Sequence, residues 1–212
     1  VMFIQMWEWK SKQLNNYEKY KPDFQSFPAA EGYVMPYGDS PTDNENVGEL
    51  VYLDIINKAK KYVYITTPYL VIDNEMITAL GFAAKSGVDV KIVVPHIADK
   101  WYVNYAGWNY YKELIKLGVQ IYEYMPGFIH AKNFVSDDEI ATVGSINLDY
   151  RSLYLHFECG TFLYKVPAIS RIKSDFNDIL GKCRRITLKD CQQRPLIKKI
   201  IGGLLRMIAP LL

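Results

Sequence analysis

The alternation of β-prone and helical segments in the middle of this chain constrains its fold most strongly. The hydrophobic periodicity predicts strands at Glu31 to Met35, Tyr62 to Thr66, Val88 to Val94 and Val119 to Tyr122. Between them it predicts helices at Val47 to Ala59, Asn74 to Lys85 and Lys100 to Leu117. Such an order predicts an α/β fold, in which a mixed β-sheet is flanked by helices on both faces.

Local signals predict where two of these helices begin and end. The polar cluster Thr42-Asp43-Asn44 is the expected cap of the helix at Val47 to Ala59, and Asp99 is the expected cap of the helix at Lys100. Gly118 is expected to end that second helix, because glycine readily adopts the left-handed conformation found just after helices.

Composition predicts a folded domain and gives no sign of a metal or cofactor. Half of the 212 residues are hydrophobic and 23% are charged, so the chain can bury a sizeable core. The three cysteines form no C-x-x-C pair and the histidines number three, which disfavours a zinc site and favours a reducing compartment. No apolar run approaches the ~20 residues needed to span a bilayer.

A histidine and a lysine two residues apart, His130 and Lys132, are the leading candidates for chemistry. In an extended strand these two side chains share one face. A hairpin centred near Asp137 would place His130 opposite about Val143. Imidazole, ammonium and the amide donors of Asn147 together suit attack on a phosphodiester, whose developing negative charge needs aligned donors.

Two carboxylates complete the candidate site. Glu158 lies in an otherwise apolar strand, where a charge is costly unless it is paired, and its expected partner is the second ring nitrogen of His130. Asp137 falls in the hairpin turn, which favours a carboxylate that fixes the turn through backbone amides over a direct chemical role. The alternative for His130 itself is a histidine held by Glu158 for structural reasons alone.

The motif His130-x-Lys132-x4-Asp137, followed by Gly144-Ser145-x-Asn147, resembles the signature of the phospholipase D superfamily. Flanking segments are similar to the second half of bacterial cardiolipin synthases; they include Thr67 to Leu70, Ala83 to Val88, Pro126 to Lys132, Asn147 to Ser152 and Ala209 to Leu212.

The resemblance implies a transesterification in which a phosphatidyl group passes from one phosphatidylglycerol through histidine to a second phosphatidylglycerol. It implies that His130 is the nucleophile or the acid/base partner. Lys132 and Asn147 would bind phosphoryl oxygens, and Glu158 would orient His130. Asp137 belongs to the implied catalytic set, and the expected substrate-binding residues are Gly144, Ser145 and Tyr69, the last on the loop after Thr67-Pro68.

The chain carries one such motif, whereas these synthases resemble two fused halves with one motif each. Residues 1–30, which open on Val1, are therefore expected to be the trailing segment of a preceding half and a linker. Residues 31–190 are expected to form the catalytic half domain. The missing motif would come from the other half of the enzyme or from a second copy of this chain.

Residues 191–212 are expected to form a basic amphipathic helix. From Lys165 onward there are 11 Lys and Arg against 3 Asp and Glu, whereas the preceding residues carry a net negative charge. Six apolar residues recur at helical spacing: Ile197, Ile200, Ile201, Leu204, Leu205 and Ile208. Such a helix docks on its own domain or lies in the headgroup region of anionic lipid, and both possibilities stay open.

Three functions remain compatible with the sequence. The first is half of a phosphatidyl-transferring enzyme, which the resemblance locates at the cytoplasmic face of a bacterial cell membrane. The second is a homodimeric nuclease-like phosphodiesterase, although nucleic acid is not the expected partner because the region around the motif is acidic. The third is a membrane-binding module without activity.

Overall fold

The computed structural model describes residues 2–21, 30–42 and 44–211, and it contains two compact units, Val1–Ala30 and Glu31–Leu212. In the first unit, helix α1 spans Met2–Ser11, and a 3-10 turn spans Tyr17–Tyr20. The Glu8 carboxylate accepts hydrogen bonds from the Asn15 amide (2.6 Å) and the Tyr17 hydroxyl (2.8 Å). The stretch expected to act as a linker includes residues 22–29, which lie outside the described residues.

The second unit contains ten strands and six helices within its described residues. The strands are β1 Tyr33–Asp39, β2 Tyr62–Thr66, β3 Leu70–Val71, β4 Asp89–Pro95, β5 Gln120–Tyr124, β6 Asn133–Ser136, β7 Ile140–Gly144, β8 Leu148–Asp149, β9 Glu158–Tyr164 and β10 Cys183–Ile186. The helices are α2 Val47–Lys58, α3 Asn74–Lys85, α4 Trp101–Leu117, α5 Ala168–Leu180, α6 Leu188–Gln193 and α7 Leu196–Met207. A π-helical turn spans Arg151–Leu155, and a 3-10 turn spans Ala209–Leu211.

Eight strands form one mixed sheet in the order β1-β9-β7-β6-β2-β4-β5-β10. The neighbours β2, β4 and β5 run parallel, and every other pair in the sheet is antiparallel. Strand β2 separates two clusters of buried side chains, since Val63 and Ile65 belong to the larger cluster and Tyr62 belongs to the smaller. Helices α2 to α4 contribute to the larger cluster and α5 to the smaller, so the predicted mixed sheet flanked by helices is confirmed.

The expected cap of α4 at Asp99 is wrong, and Asp43, at the centre of the expected cap of α2, lies outside the described residues. Asn46 precedes α2 without a capping side-chain bond, and the Gly48 amide donates instead to the Asp39 carboxylate (2.7 Å). Helix α4 begins at Trp101, one residue later than expected, and the Asp99 carboxylate accepts from the Tyr69 hydroxyl (2.6 Å). The carboxylate that was expected to cap α4 thus binds a group that is distant in sequence. Gly118 does end α4, with φ +104°.

The register of the β6–β7 hairpin differs from the prediction, because the residue opposite Val143 is Asn133, three residues after His130. The turn occupies residues 137 to 139, so Ser136 pairs with Ile140 and Asn133 pairs with Val143. Counting back along this register places His130 beyond the end of the ladder, so the expected pairing of His130 with Val143 is wrong. His130 and Lys132 lie in the segment that leads into β6 and not in the strand itself.

Helix α7 docks on its own domain with an unexpected orientation. It packs against α4, and its buried Gly202 lies against the backbone carbonyl of Tyr105. Its apolar residues point largely outward: Leu196, Ile197, Ile200, Leu204 and Met207 are all more than half exposed. Within the described part of the chain, no helix has the length and hydropathy needed to cross a bilayer.

Candidate active site

The predicted phosphate-binding groups lie around one open concavity at the end of the β6–β7 hairpin. Its volume is about 590 Å³, and its walls are His130, Ala131, Lys132, Asn133, Val143, Gly144, Ser145 and Asn147. The structure therefore brings together three of the proposed catalytic residues and two of the proposed substrate-binding residues. The His130 side chain is exposed to solvent in this concavity, whereas Lys132 is only 8% exposed.

Backbone hydrogen bonds position the His130–Lys132 pair. The Gly144 amide donates to the Lys132 carbonyl (3.3 Å), which continues the hairpin by one bond beyond the paired strands. The Lys132 ammonium donates to the His130 carbonyl (2.6 Å), so this lysine is held beside the histidine backbone. The Phe128 ring, whose centroid is 5.4 Å from that of the imidazole, packs beside His130.

The electrostatics favour a neutral imidazole beside a charged lysine. Partial burial and the positive charge of Lys132 lower the pKa of His130, and Asp99 partly offsets them. Burial lowers the pKa of Lys132 as well, but Glu158 and Asp149 act in the opposite direction and favour its ammonium form. A neutral imidazole nitrogen keeps the lone pair that a nucleophile needs near neutral pH.

The expected bond between Glu158 and His130 is wrong, because the Glu158 carboxylate binds two serine hydroxyls. Ser145 donates to one carboxylate oxygen through a short hydrogen bond, and Ser152 donates to the other (2.8 Å). The cause is the register of β7 against β9, which pairs Gly144 with Gly160 and brings the Ser145 hydroxyl to the start of β9. The Cys159 amide donates to the same hydroxyl (3.0 Å).

Asn147 is connected to Glu158 through Ser152. The Asn147 amide nitrogen donates to the Ser152 hydroxyl (2.9 Å), and this hydroxyl donates to Glu158. The Asn147 carbonyl oxygen is buried and has no hydrogen-bond partner among the described residues. The Ser152 amide donates to Asp149 (2.8 Å), and burial raises the pKa of the Asp149 carboxyl.

Ser152 and Asp149 were missed as functional candidates. They lie in the segment Asn147 to Ser152, in which Asp149 and Ser152 are buried and Asn147 is half-buried. A cluster of small polar side chains next to an apolar strand is the signal that could have indicated them. Their contacts, however, depend on a π-helical turn that no sequence pattern predicted.

Asp137 lies at the opposite end of strand β6 from His130. Its carboxylate accepts three backbone hydrogen bonds, from the amides of Lys60 (2.7 Å), Lys61 (2.9 Å) and Tyr62 (2.9 Å). The carboxylate thus ties the hairpin turn to the start of strand β2. This placement supports the turn-fixing interpretation, and we propose no chemical step through Asp137.

Tyr69 lies beside the concavity and does not line it. Its ring packs against Phe128 (6.2 Å between centroids), which in turn contacts His130, and its hydroxyl donates to Asp99. Burial and this carboxylate raise the pKa of Tyr69. The ring lines two neighbouring depressions that also contain Lys100. No cluster of His, Cys, Asp or Glu within residues 2–21, 30–42 and 44–211 has a geometry that could hold a metal ion.

The eight-stranded mixed sheet flanked by helices is the fold of a phospholipase D-type domain. The fold resembles the crystal structure of Nuc, a phospholipase D family member from Salmonella typhimurium, with a TM-score of 0.60 and 21% identity. The match covers 74% of this chain and 99% of that one.

The chain belongs to the family of cardiolipin synthase PLD-like domains, whose sequence model matches residues 52–180. A cardiolipin synthase from Geobacillus sp. (strain WCH70) is 35% identical over the whole of this chain. An uncharacterized protein of Streptococcus mutans is 49% identical, also over the whole chain. This chain spans 42% of the length of the first relative and 46% of the second.

Proposed function

We propose that this chain supplies one of the two His-Lys-Asp halves of a cardiolipin synthase, with His130 as its reactive histidine. The reaction transfers a phosphatidyl group between two phosphatidylglycerol molecules and yields cardiolipin and glycerol. The convergence of His130, Lys132 and Asn147 on one open concavity is the observation that carries the proposal. Membership of the cardiolipin synthase PLD-like family supports the choice of substrate.

In the first step, the neutral imidazole nitrogen of His130 attacks the phosphorus of one phosphatidylglycerol. The phosphorus–oxygen bond to the glycerol headgroup breaks, and glycerol leaves after it gains a proton. In the second step, a hydroxyl of another phosphatidylglycerol loses a proton and attacks the phosphohistidine, which releases His130 and forms cardiolipin. Each step adds negative charge to the phosphoryl oxygens, so donors aimed at those oxygens lower the barrier.

Lys132 and Asn147 are the proposed donors to the phosphoryl oxygens. The Lys132 ammonium donates to the His130 carbonyl, whereas the Asn147 amide donates to Ser152 and also interacts with the Asp149 carboxylate. An ammonium group has three N–H donors, so Lys132 retains donors for a substrate; Asn147 has two, and it donates to a substrate by exchanging its contact with Asp149. Glu158 acts as a positioning residue, because it fixes Ser152 and thereby Asn147.

A second histidine is needed to protonate the leaving glycerol, since His130 cannot be nucleophile and acid in the same step. Neither His96 nor His156 is among the residues that line the concavity. His96 binds Glu123 (2.9 Å), and His156 contacts Arg151 (3.3 Å). The acid therefore comes from a second motif, in the other half of the enzyme or in a second copy of this chain.

The proposal is tested by cardiolipin formation from phosphatidylglycerol vesicles, measured by mass spectrometry. We expect little product from this chain as a monomer, and clear turnover when it is mixed with the part of the Geobacillus synthase that this chain does not match. His130→Asn in this chain should abolish the turnover of the mixture, whereas the matched change His96→Asn should retain it. Efficient turnover by a strictly monomeric sample would contradict the two-half mechanism.

The membrane surface is the proposed place of action, and the exposed apolar side of α7 supports it. Ile197, Ile200 and Leu204 are each more than half exposed on a helix that also carries lysines. Replacing these three residues by glutamine should reduce sedimentation with phosphatidylglycerol vesicles. Phe82→Gln, at an exposed apolar position on α3, should leave it unchanged, and equal sedimentation of all variants would reject this surface. The three cysteines are free, which fits the cytoplasmic face.

A homodimeric nuclease-like phosphodiesterase is the second candidate. It is favoured by the match to Nuc, because 99% of that solved chain corresponds to a single domain of this kind. Two copies of this chain would then supply the two histidines. Hydrolysis of single-stranded DNA that rises with the square of the chain concentration, without cardiolipin formation, would favour this candidate.

A further inference from the structure

A basic cavity lies between α4 and the C-terminal helices, apart from the His130 concavity. Its volume is about 190 Å³, and four cationic side chains line it without any carboxylate in the wall: Lys112, Arg194, Lys198 and Lys199. We propose that this cavity binds the phosphate of an anionic phospholipid headgroup without acting on it. None of its lining residues lines the His130 concavity, so the proposal does not depend on the reaction assigned to that site.

Arg194 lines the cavity with a cation that the protein holds in place. Its guanidinium lies 3.9 Å from the centre of the Trp108 ring, and one nitrogen donates to Glu123 (3.0 Å). The other terminal nitrogen, Nη1, is buried and has no hydrogen-bond partner among the described residues. A buried N–H without an acceptor is unfavourable, and a phosphate oxygen is the acceptor that suits a guanidinium best.

The three lysines of the cavity share an uncompensated positive charge. The ammonium of Lys199 donates to the Gln192 carbonyl (2.5 Å), and that of Lys198 lies 5.4 Å from the centre of the Tyr105 ring. Within the described part of the chain, none of these lysines forms an ion pair with a carboxylate. Like charges held around one small cavity repel each other, and a bound anion removes that repulsion.

A neighbouring cation on the same pair of helices, Arg206, is paired with a carboxylate, unlike the lysines of the cavity. Arg206 of α7 binds the Glu113 carboxylate of α4 at 2.5 Å, so its charge is compensated within the protein. The interface between α4 and α7 is thus neutralised at the C-terminal end of α7 and left positive at its N-terminal end, beside Lys198 and Lys199. This difference indicates that the positive end serves an external anion.

The exposed side of α7 indicates that the anion belongs to a lipid. Leu196, Ile197 and Ile200 are 71%, 63% and 51% exposed, and they flank Lys198 and Lys199 in the sequence of the same helix. A free phosphate ion gains nothing from such apolar residues, whereas an acyl chain next to a bound headgroup covers them. The cavity and the apolar stripe together fit one diacyl phospholipid at a membrane surface.

Calorimetric titration of the full chain tests this proposal. The probes are dihexanoyl-phosphatidylglycerol below its micellar concentration, dihexanoyl-phosphatidylcholine and inorganic phosphate. We expect phosphatidylglycerol to bind more tightly than phosphatidylcholine, whose choline cation is repelled by the lysines, and more tightly than phosphate. Lys112→Gln and Lys198→Gln should each weaken its binding by about fivefold, as for one Lys near an anionic lipid.

Lys116→Gln is the matched control, because Lys116 is an exposed lysine one turn further along α4 and does not line the cavity. It removes the same charge and should leave binding unchanged. Equal effects of Lys112→Gln and Lys116→Gln would overturn the proposal, since they would show only a general charge effect. Phosphate that binds as tightly as the lipid would overturn the lipid assignment, and no binding of phosphatidylglycerol by the wild-type chain would overturn the site itself. Both lysine changes lie at the surface, and thermal unfolding of each variant verifies that it is folded.

Discussion

Asp137 lies far from His130 along strand β6, which predicts a structural role for its carboxylate and no chemical one. The substitution Asp137→Asn tests this prediction. In the structure one carboxylate oxygen accepts the amides of Lys61 and Tyr62, and the other accepts the amide of Lys60. Asparagine keeps an oxygen for two of these amides, but as a neutral acceptor. Its NH2 group faces the third amide, donor to donor. The φ angle of +54° at this position is tolerated by asparagine as well as by aspartate, so backbone strain changes little.

The expected loss of stability follows from these three bonds. A hydrogen bond to a charged group contributes about 1.5–3 kcal/mol, and a neutral one about 0.5–1.5 kcal/mol. Losing one charged bond and weakening two others amounts to about 4 kcal/mol if the contributions add. Because two of the three amides lie at the surface, water replaces part of the loss, and we expect about 2–3 kcal/mol.

Urea unfolding of the full chain, followed by circular dichroism, measures this loss. Asp138→Asn is the matched control, because Asp138 lies in the same turn, also at positive φ, and forms an exposed ion pair with Lys173 (2.7 Å). Removing this ion pair by Asp138→Asn should lower the free energy of unfolding by less than about 1 kcal/mol. The folded fraction of Asp137→Asn should still support transfer in the mixed assay. Equal stability of both variants, or a folded Asp137→Asn without transfer, would refute the structural role.

Three further predictions follow from the geometry. Lys132→Gln removes the charge that, together with burial, lowers the pKa of His130, so the NMR titration of His130 should move to higher pH; an unchanged titration would show that Lys132 is not a cause. Burial, together with a neighbouring carboxylate, raises the pKa of Glu49 to about 7, so the folded state holds a proton that the unfolded state releases at lower pH. The free energy of unfolding should therefore fall as the pH rises from about 5 to about 7. Glu49→Gln should reduce this fall by on the order of 1 kcal/mol, as measured by urea unfolding at several pH values. A β-carbon on Gly202 would collide with the backbone of α4, so Gly202→Ala should lower the unfolding temperature and release α7. Gly203→Ala meets no atom within 4 Å and should stabilise the helix by up to about 1 kcal/mol, which a thermal melt of both variants compares.

The regular elements could be predicted from the sequence because their signals are local. Strand Tyr62–Thr66 and helix Asn74–Lys85 have the predicted bounds, and the mixed sheet follows from the alternation of such elements. Helix ends were less predictable, since the side chains of Asp39 and Asp99 bind groups that are distant in sequence. Asp73, by contrast, caps α3 through the Met76 amide, although it also accepts a hydrogen bond from the distant Tyr154 hydroxyl.

The site shows the same division between local and tertiary signals. The convergence of His130 and Asn147 follows from a hairpin and a turn after it, and both are visible in the sequence. The partner of Glu158 could not be predicted in this way, because it depends on the register between β7 and β9 and on a π-helical turn. A shift of a few residues in register decides whether a carboxylate meets an imidazole or a serine hydroxyl.

The β6–β7 hairpin is fixed to the rest of the sheet at its turn and carries the candidate site at its other end. At its turn, Asp137 ties it to the start of β2; at its other end, the bond between Gly144 and Lys132 holds the segment that carries His130. The network from Glu158 through Ser152 then fixes Asn147 on the facing side. The proposed phosphate-binding groups are thus anchored to the sheet, while His130, the proposed nucleophile, stays exposed. In the proposed mechanism this anchored site needs only a second histidine opposite it, which a partner would deliver without rearranging this domain.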